Sequence, residues 1–222
     1  MHNQGMSRPI LAGTLAMALL AAGTTAAADS RFGMAAKVGT TGLGLEGTVG
    51  LSERVNLRAG LYGFDYSKDF EEEGIDYDGD LKLRSAALLA DWHPFGGNFR
   101  VSAGAYHNGN ELKGKADGSL DIGDNTYDAS LDATIDWRSF APYVGIGYGN
   151  AIRGSRWSFA MDAGVMFTGS PDVRLRGEYK GDDSQEALDF GNDLRQEEQD
   201  LKDELKDFKY WPVLSLGVSY RF

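Results

Sequence analysis

The chain contains no cysteine. That excludes a disulfide framework and any thiolate chemistry. Beyond the N-terminal segment, no stretch approaches the roughly twenty consecutive apolar residues that a spanning helix needs. Histidine is scarce: after residue 28 only His93 and His107 remain. Positive charge is outnumbered, with 22 Lys and Arg against 33 Asp and Glu, a formal net charge of −11. Nucleic-acid binding is therefore not expected, because phosphate contact requires a basic surface. What the chain has in quantity is glycine, 30 residues, much of it inside strand-like segments, where it marks tight packing or sharp curvature. The mean hydropathy of −0.35 would suit a soluble protein. That average is uninformative for a membrane barrel, where only every second strand residue faces lipid.

The N-terminus has the three parts of a secretory leader. A short polar stretch carries Arg8, an apolar run covers Ile10–Ala22, and Ala26-Ala27-Ala28 offers a cleavage site before Asp29. The run is too short to span a bilayer as a helix. Residues 1–28 are read as a signal peptide and residues 29–222 as the mature domain, with a helical insert over about 184–208.

Period-two alternation gives eight strand candidates. Their apolar faces are Phe32-Met34-Ala36-Val38, Leu43-Leu45-Val49-Leu51, and Val55-Leu57-Ala59-Leu61 running on through Phe64 and Tyr66. Next come Leu81-Leu83 with Leu88-Ala90-Trp92, then Phe99-Val101-Ala103-Ala105. The sixth carries Leu131-Ala133-Ile135-Trp137 and Phe140-Pro142-Val144-Ile146-Tyr148; the seventh is Trp157–Phe167, which Val173 and Leu175 extend beyond Pro171; the eighth is Tyr210–Phe222. Leu81/Leu83 and Leu88/Ala90/Trp92 differ in parity, which predicts a β-bulge near Ser85–Ala87. A second phase shift falls at Arg138–Ser139. Lys115–Asp128 reads as a long polar loop. Between Ser184 and Phe208 the period changes: Leu194, Leu201, Leu205 and Phe208 share one side at helical spacing. Short links near Glu53, Gly96 and Ala151 alternate with links at Thr41, Glu72, Asp121 and the helical insert, three of them long. An even strand count with this alternation predicts an all-β fold, an eight-stranded antiparallel transmembrane β-barrel with an amphipathic helical insert before the last strand. A soluble sandwich or lipocalin-like barrel would turn the apolar faces inward instead.

Apolar-outward parity sends Lys37, Glu46, Arg58, Arg84, Asp91, Arg100, Asp162 and Arg221 into the lumen. An eight-stranded barrel is just wide enough for side chains to fill it, and buried charges must be paired. The expected result is a closed core of ion pairs with a structural or surface-interaction role. The alternative is a narrow channel, or a conduit for small solutes or small apolar molecules. Between Asp65 and Asp80 eight acids face one base, Lys68. Asp76-Tyr77-Asp78-Gly79-Asp80 offers oxygen ligands of the kind hard cations take but lacks the rest of an EF-hand loop, so divalent cations are expected there as diffuse partners. The helical insert could plug the lumen, cap the rim or bind a partner. His93, beside Pro94, reads as a turn residue. His107 shares parity with Val101 and Ala103 and should face outward near the rim. In Tyr106-His107-Asn108-Gly109-Asn110 a glycine stands where lipid A deacylases carry their serine, and a hydrolase lacking its nucleophile is not expected to act. No catalytic residue, cofactor or defined metal site is expected.

The segments APYVGIGYG (Ala141–Gly149) and GVSYRF (Gly217–Phe222), with the leader and the alternating strands, resemble the small bacterial outer-membrane barrels of the OmpA- and OmpW-like superfamily. The resemblance covers the whole mature chain. It implies a Gram-negative outer-membrane location, contact with outer-membrane lipid and lipopolysaccharide, and delivery by the barrel-assembly machinery. Tyr220 and the terminal Phe222 match the assembly signal of such proteins.

Overall fold

A computed structural model of the protein describes residues 31–72 and 75–222. The expected signal peptide lies outside the described residues. In chain order the elements are β1 (Phe32–Gly39), β2 (Gly42–Gly50), β3 (Val55–Glu72), β4 (Ile75–Trp92), β5 (Phe99–Asn108), β6 (Glu111–Ile122), β7 (Asn125–Asp136), β8 (Phe140–Tyr148), β9 (Trp157–Phe167), β10 (Asp172–Tyr179), α1 (Ser184–Leu205) and β11 (Tyr210–Arg221).

Eight of the strands close a ring: β1, β2, β3, β4, β5, β8, β9 and β11, the last pairing back onto β1. Every pairing is antiparallel, from Gly33↔Arg221 round to Val144↔Val165. Closure satisfies the backbone of each wall strand and removes the open edges that a flat sheet would present within the barrel. The outer wall is apolar. Val38, Leu45, Leu61, Leu88, Val144, Ile146 and Leu216 are all exposed. An apolar belt of this extent is a liability in water and the ordinary state of a wall against acyl chains. At the end with short turns, Phe222 lies 5.5 Å from Phe32 and 5.1 Å from Tyr220, which lies 4.9 Å from Trp157, ring centre to ring centre. Such aromatic girdles mark the interface in membrane barrels.

At the other end the wall is uneven. The β1–β2 hairpin turns at once through Thr40-Thr41 into Gly42, whose φ of 95° suits glycine alone. Five strands continue past the ring as a flap in the order β10-β7-β6-β4-β3. Within it β6 takes over from β5, β7 leads into β8, and β10 follows β9 after a four-residue jog. The jog between β7 and β8 is the phase shift expected at Arg138–Ser139, and β10 contains the expected extension at Val173 and Leu175.

Three expectations need correction. The described β3–β4 register runs unbroken from Val55↔Trp92 to Glu72↔Ile75, so there is no bulge at Ser85–Ala87. Leu83 is buried on the same face as Leu89; the inner face itself turns apolar at that height, which imitates a change of phase. Lys115–Asp128 is no loop but most of the β6–β7 hairpin, turning at Gly123-Asp124. Its apolar residues Ala116, Leu120, Tyr127 and Ala129 lie on one face, and they were hidden by charges on the other. The acidic link after Tyr66 is likewise mostly strand, with β3 running to Glu72 and β4 starting at Ile75.

Helix α1 packs on β10 and β6, on the flap face that continues the lumen side. Asp183 caps it, accepting from the backbone N–H groups of Gln185 and Glu186 at 2.7 and 3.2 Å. Its anchor is Phe190, one turn before the stripe read from sequence, set among Leu120, Ile122, Tyr127 and Ala129 with Leu194 beside it.

Candidate functional site

The lumen is filled in layers. Lys37 (β1), Glu46 (β2), Arg58 (β3), Asp91 (β4), Arg100 (β5) and Asp162 (β9) meet at mid-height, all buried. Three cations face three carboxylates, so the set is neutral. Lys37 reaches Glu46 at 2.6 Å and also Asp162. Arg58 spans Glu46 at 3.1 Å, Asp91 at 2.9 Å and Asp162 at 3.3 Å. Arg100 donates to Asp162 at 2.6 Å and to the Gly149 carbonyl. Ser102 donates to Asp91 at 2.5 Å, and Ser215 to Asp162 at 3.3 Å. Buried charge is tolerated when each group is both paired and hydrogen-bonded, and most of this set is. Arg100 Nε makes no hydrogen bond among the described residues, although Asp91 stands 3.9 Å away. It borders a cavity of about 20 Å³, room for about one water.

Glycine makes the space. A Cβ on Gly147 would come within 2.8 Å of both the Arg100 guanidinium carbon and Asp162 Oδ1. One on Gly164 would meet Tyr143 Oη at 2.5 Å.

Above the charges lies a layer of Tyr62, Leu89, Tyr106, Tyr143, Met166 and Val213. The Tyr62 and Tyr106 rings are 5.8 Å apart, and those of Tyr106 and Tyr143 5.3 Å. The Tyr62 hydroxyl donates to Glu46 at 2.5 Å, tying this layer to the one below. On the other side of the charges, His93 is buried. Its Nδ1 faces the carbonyls of Gly97 at 2.9 Å and Phe99 at 3.1 Å, so it donates there. That leaves Nε2 to accept from Asn56 at 3.1 Å in the neutral tautomer.

Six of the eight expected lumen residues are thus brought together. Arg84 is not one of them. With the register continuous it points outward, exposed, and pairs with Asp65 at 3.1 Å. Arg221 has the inward parity but sits half-buried at the barrel's end, outside the network. Sequence reading missed the tyrosine layer, and it placed His93 at its turn without its buried hydrogen bonds to Asn56, Gly97 and Phe99. Tyr62, Tyr106 and Tyr143 share parity with Arg58, Arg100 and Gly147, but an apolar-outward rule does not look for aromatics on the inner face. His107 points outward, as its parity predicts, opposite Phe140. No group of three or more carboxylates, histidines or cysteines among the described residues is arranged to hold a metal ion.

No family model and no curated sequence matches the chain. Solved structures do. Acinetobacter baumannii CarO2 aligns over 86% of this chain and 98% of its own, at 25% identity and a TM-score of 0.59. Acinetobacter baumannii CarO aligns over 86% and 97%, at 25% identity and a TM-score of 0.55. A major outer membrane protein from Thermus thermophilus covers 88% of this chain and all of its own, at 15% identity and a TM-score of 0.41, too distant to carry weight. With its closed ring, apolar outer wall and aromatic girdle, this chain is a small bacterial eight-stranded β-barrel protein of the outer membrane.

Proposed function

We propose that the protein is a non-enzymatic barrel with a sealed lumen, and that its role is structural or one of surface interaction through the flap. The observation that carries this reading is the neutral six-residue network under the tyrosine layer, which fills the lumen at mid-height and borders a cavity of about 20 Å³ on its His93 side. A hydrated ion needs a continuous path far wider than one water. The long end, with the flap and α1, faces the exterior in this reading, and the short turns face the periplasm. Outer-membrane lipid and lipopolysaccharide then surround the wall, and the barrel-assembly machinery reads Tyr220 and Phe222 during insertion. Planar-bilayer recording of the refolded chain tests the sealed lumen. No steady conductance is expected, and a steady conductance with defined ion preference would overturn it.

One feature favours a second reading. An apolar concavity of about 650 Å³ lies on the outer wall between Val38, Ile146, Met161, Leu214 and Leu216, and its lining reaches Gly147, Asp162 and Ser215 of the inward set. A conduit for small apolar molecules would use such a lateral recess. Protein-dependent passage of a small apolar dye into proteoliposomes, without ion conductance, would promote it.

A further inference from the structure

The flap has two long edges, and they differ. Along β10 the helix stands guard: Glu198 accepts from the backbone N–H of Leu175 at 3.0 Å. Along β3, pairing with β2 ends at Leu43↔Gly63. From Phe64 to Glu72 the outer edge of β3 has no backbone partner among the described residues. These nine residues span roughly 30 Å of extended chain. β1, β2 and β11 end at the ring, so among the described residues no neighbouring strand rises beside this edge.

The two faces of the edge are chemically distinct. Toward the lumen side it shows Phe64, Tyr66 and Phe70, all about half exposed at 44%, 51% and 47%. Phe70 stacks on Tyr77 of β4 at 5.1 Å, and the Lys68 ammonium lies 5.8 Å from the Phe70 ring centre. Toward the outer side it shows Asp65, already paired with Arg84 at 3.1 Å, then Asp69 and Glu71. Asp69 stands directly opposite Asp78, and Glu71 opposite Asp76. Like charges at facing positions of a sheet repel, and these lack an ion pair among the described residues. A second copy added at this edge would bring more acid to the same place. The edge therefore resists self-pairing and favours a strand of opposite charge.

We propose that the Phe64–Glu72 edge of β3 is a strand-addition site for an extended cationic segment of a partner protein, one that alternates basic side chains over Asp69 and Glu71 with apolar ones over Phe64, Tyr66 and Phe70. Main-chain hydrogen bonds to the edge supply the docking, and the two alternating faces supply the selection. The proposal rests on the surface-interaction reading above.

The test uses the full barrel refolded in detergent micelles and a fluorescent nine-residue peptide alternating Lys with Val and Phe. Two further peptides carry N-methyl groups on one or the other set of alternate residues, and a third has Glu for Lys. Saturable one-to-one binding of the parent peptide is expected, with slowed amide exchange confined to Phe64–Glu72 and its pairs on β4. N-methylation of one set, but not the other, should weaken binding at least ten-fold, as should Glu for Lys and the D69K/E71K variant. Equal binding of both N-methylated peptides would overturn the proposal by leaving only diffuse charge attraction. So would the absence of saturable binding, or a dimer of the unliganded barrel that protects the same amides. The Glu-for-Lys arm needs no protein variant, so misfolding of D69K/E71K cannot hide the answer. Conductance is read separately, and a leaky barrel that still binds the peptide would sink the sealed lumen alone.

Discussion

Arg58 on β3 and Asp162 on β9 belong to strands on opposite sides of the eight-strand ring, yet their side chains meet at 3.3 Å. They are 104 residues apart in the chain. A contact across the full diameter means that the lumen is occupied at that height. Arg58 is also shared with Glu46 and Asp91, so the network has a hub.

Glu46→Gln removes one carboxylate from this balanced set and leaves Lys37 and Arg58 with a surplus positive charge, although the amide can still accept from Tyr62. A loss of about 3–5 kcal/mol is expected, the cost of breaking a buried pair from one side. Urea unfolding of the refolded barrel reads it. Unchanged stability together with a shift in ion selectivity would mean that water screens the lumen.

Leu216 and Val165 point outward, Leu216 exposed and Val165 half-buried. Arginine at either position should cost on the order of 2–4 kcal/mol near the bilayer midplane. Gly164→Ala probes the opposite face, where the new methyl group would press on both Tyr143 and the backbone oxygen of Val144. Overpacking of that kind should cost about 1–3 kcal/mol. Folding titrations into vesicles compare the three, and a harmless Leu216→Arg would reverse the assignment of faces.

The docking of α1 on the flap should fail at both ends of the pH scale. Asp193 accepts from Tyr127 at 2.7 Å and Asn125 at 2.9 Å, and these bonds hold its carboxyl below the ordinary carboxylate value. A depressed acid contributes stability above its unfolded pKa of about 4 and loses it as pH falls through the lower folded value. The same bond pushes the Tyr127 phenol up to about 12, and Glu186 does likewise to Tyr179. A raised phenol contributes stability below its unfolded pKa of about 10 and loses it as pH rises toward the folded value. Amide exchange in α1, corrected for intrinsic rates, should be slowest between these limits. Asp193→Asn should flatten the acid side, and an unchanged acid limb would assign the effect to other carboxylates.

Deleting Phe222 removes one ring from the cluster with Phe32 and Tyr220. The amount of barrel recovered in the outer-membrane fraction should fall several-fold, while unfolding of protein refolded in vitro changes by about 1–3 kcal/mol, the scale of two aromatic pairs. Equal losses in both assays would make Phe222 a packing residue and no more.

Much of the barrel was legible because its signals are local. Alternation in Phe32–Val38 or Tyr210–Phe222 names the face of every residue from its neighbours alone. The turn half of the β6–β7 hairpin was not, although Leu131-Ala133-Ile135 of β7 and Val173 and Leu175 of β10 read as strand, since Lys115, Asp117, Asp121, Asp124 and Asp128 outweigh the apolar residues between them in any average. Only the hairpin at Gly123-Asp124, which sets Leu120 opposite Tyr127, shows that the alternation is real. Arg84 was misplaced for a related reason. Leu81 and Leu83 look like a lipid face, but at that height the lumen side is apolar as well.

By itself the sequence determined strand periodicity, the aromatic C-terminus and the placing of Lys37, Glu46, Arg58, Asp91, Arg100 and Asp162 on the polar faces of their strands, because side-chain direction in a strand follows from the backbone. Tertiary structure decided which of those charges meet. Parity states a face but not a height, and height is set by the register of each strand on its neighbours around a closed ring. That is why Arg58 lands at the hub, Arg221 at the rim and Arg84 on the outer surface beside Asp65.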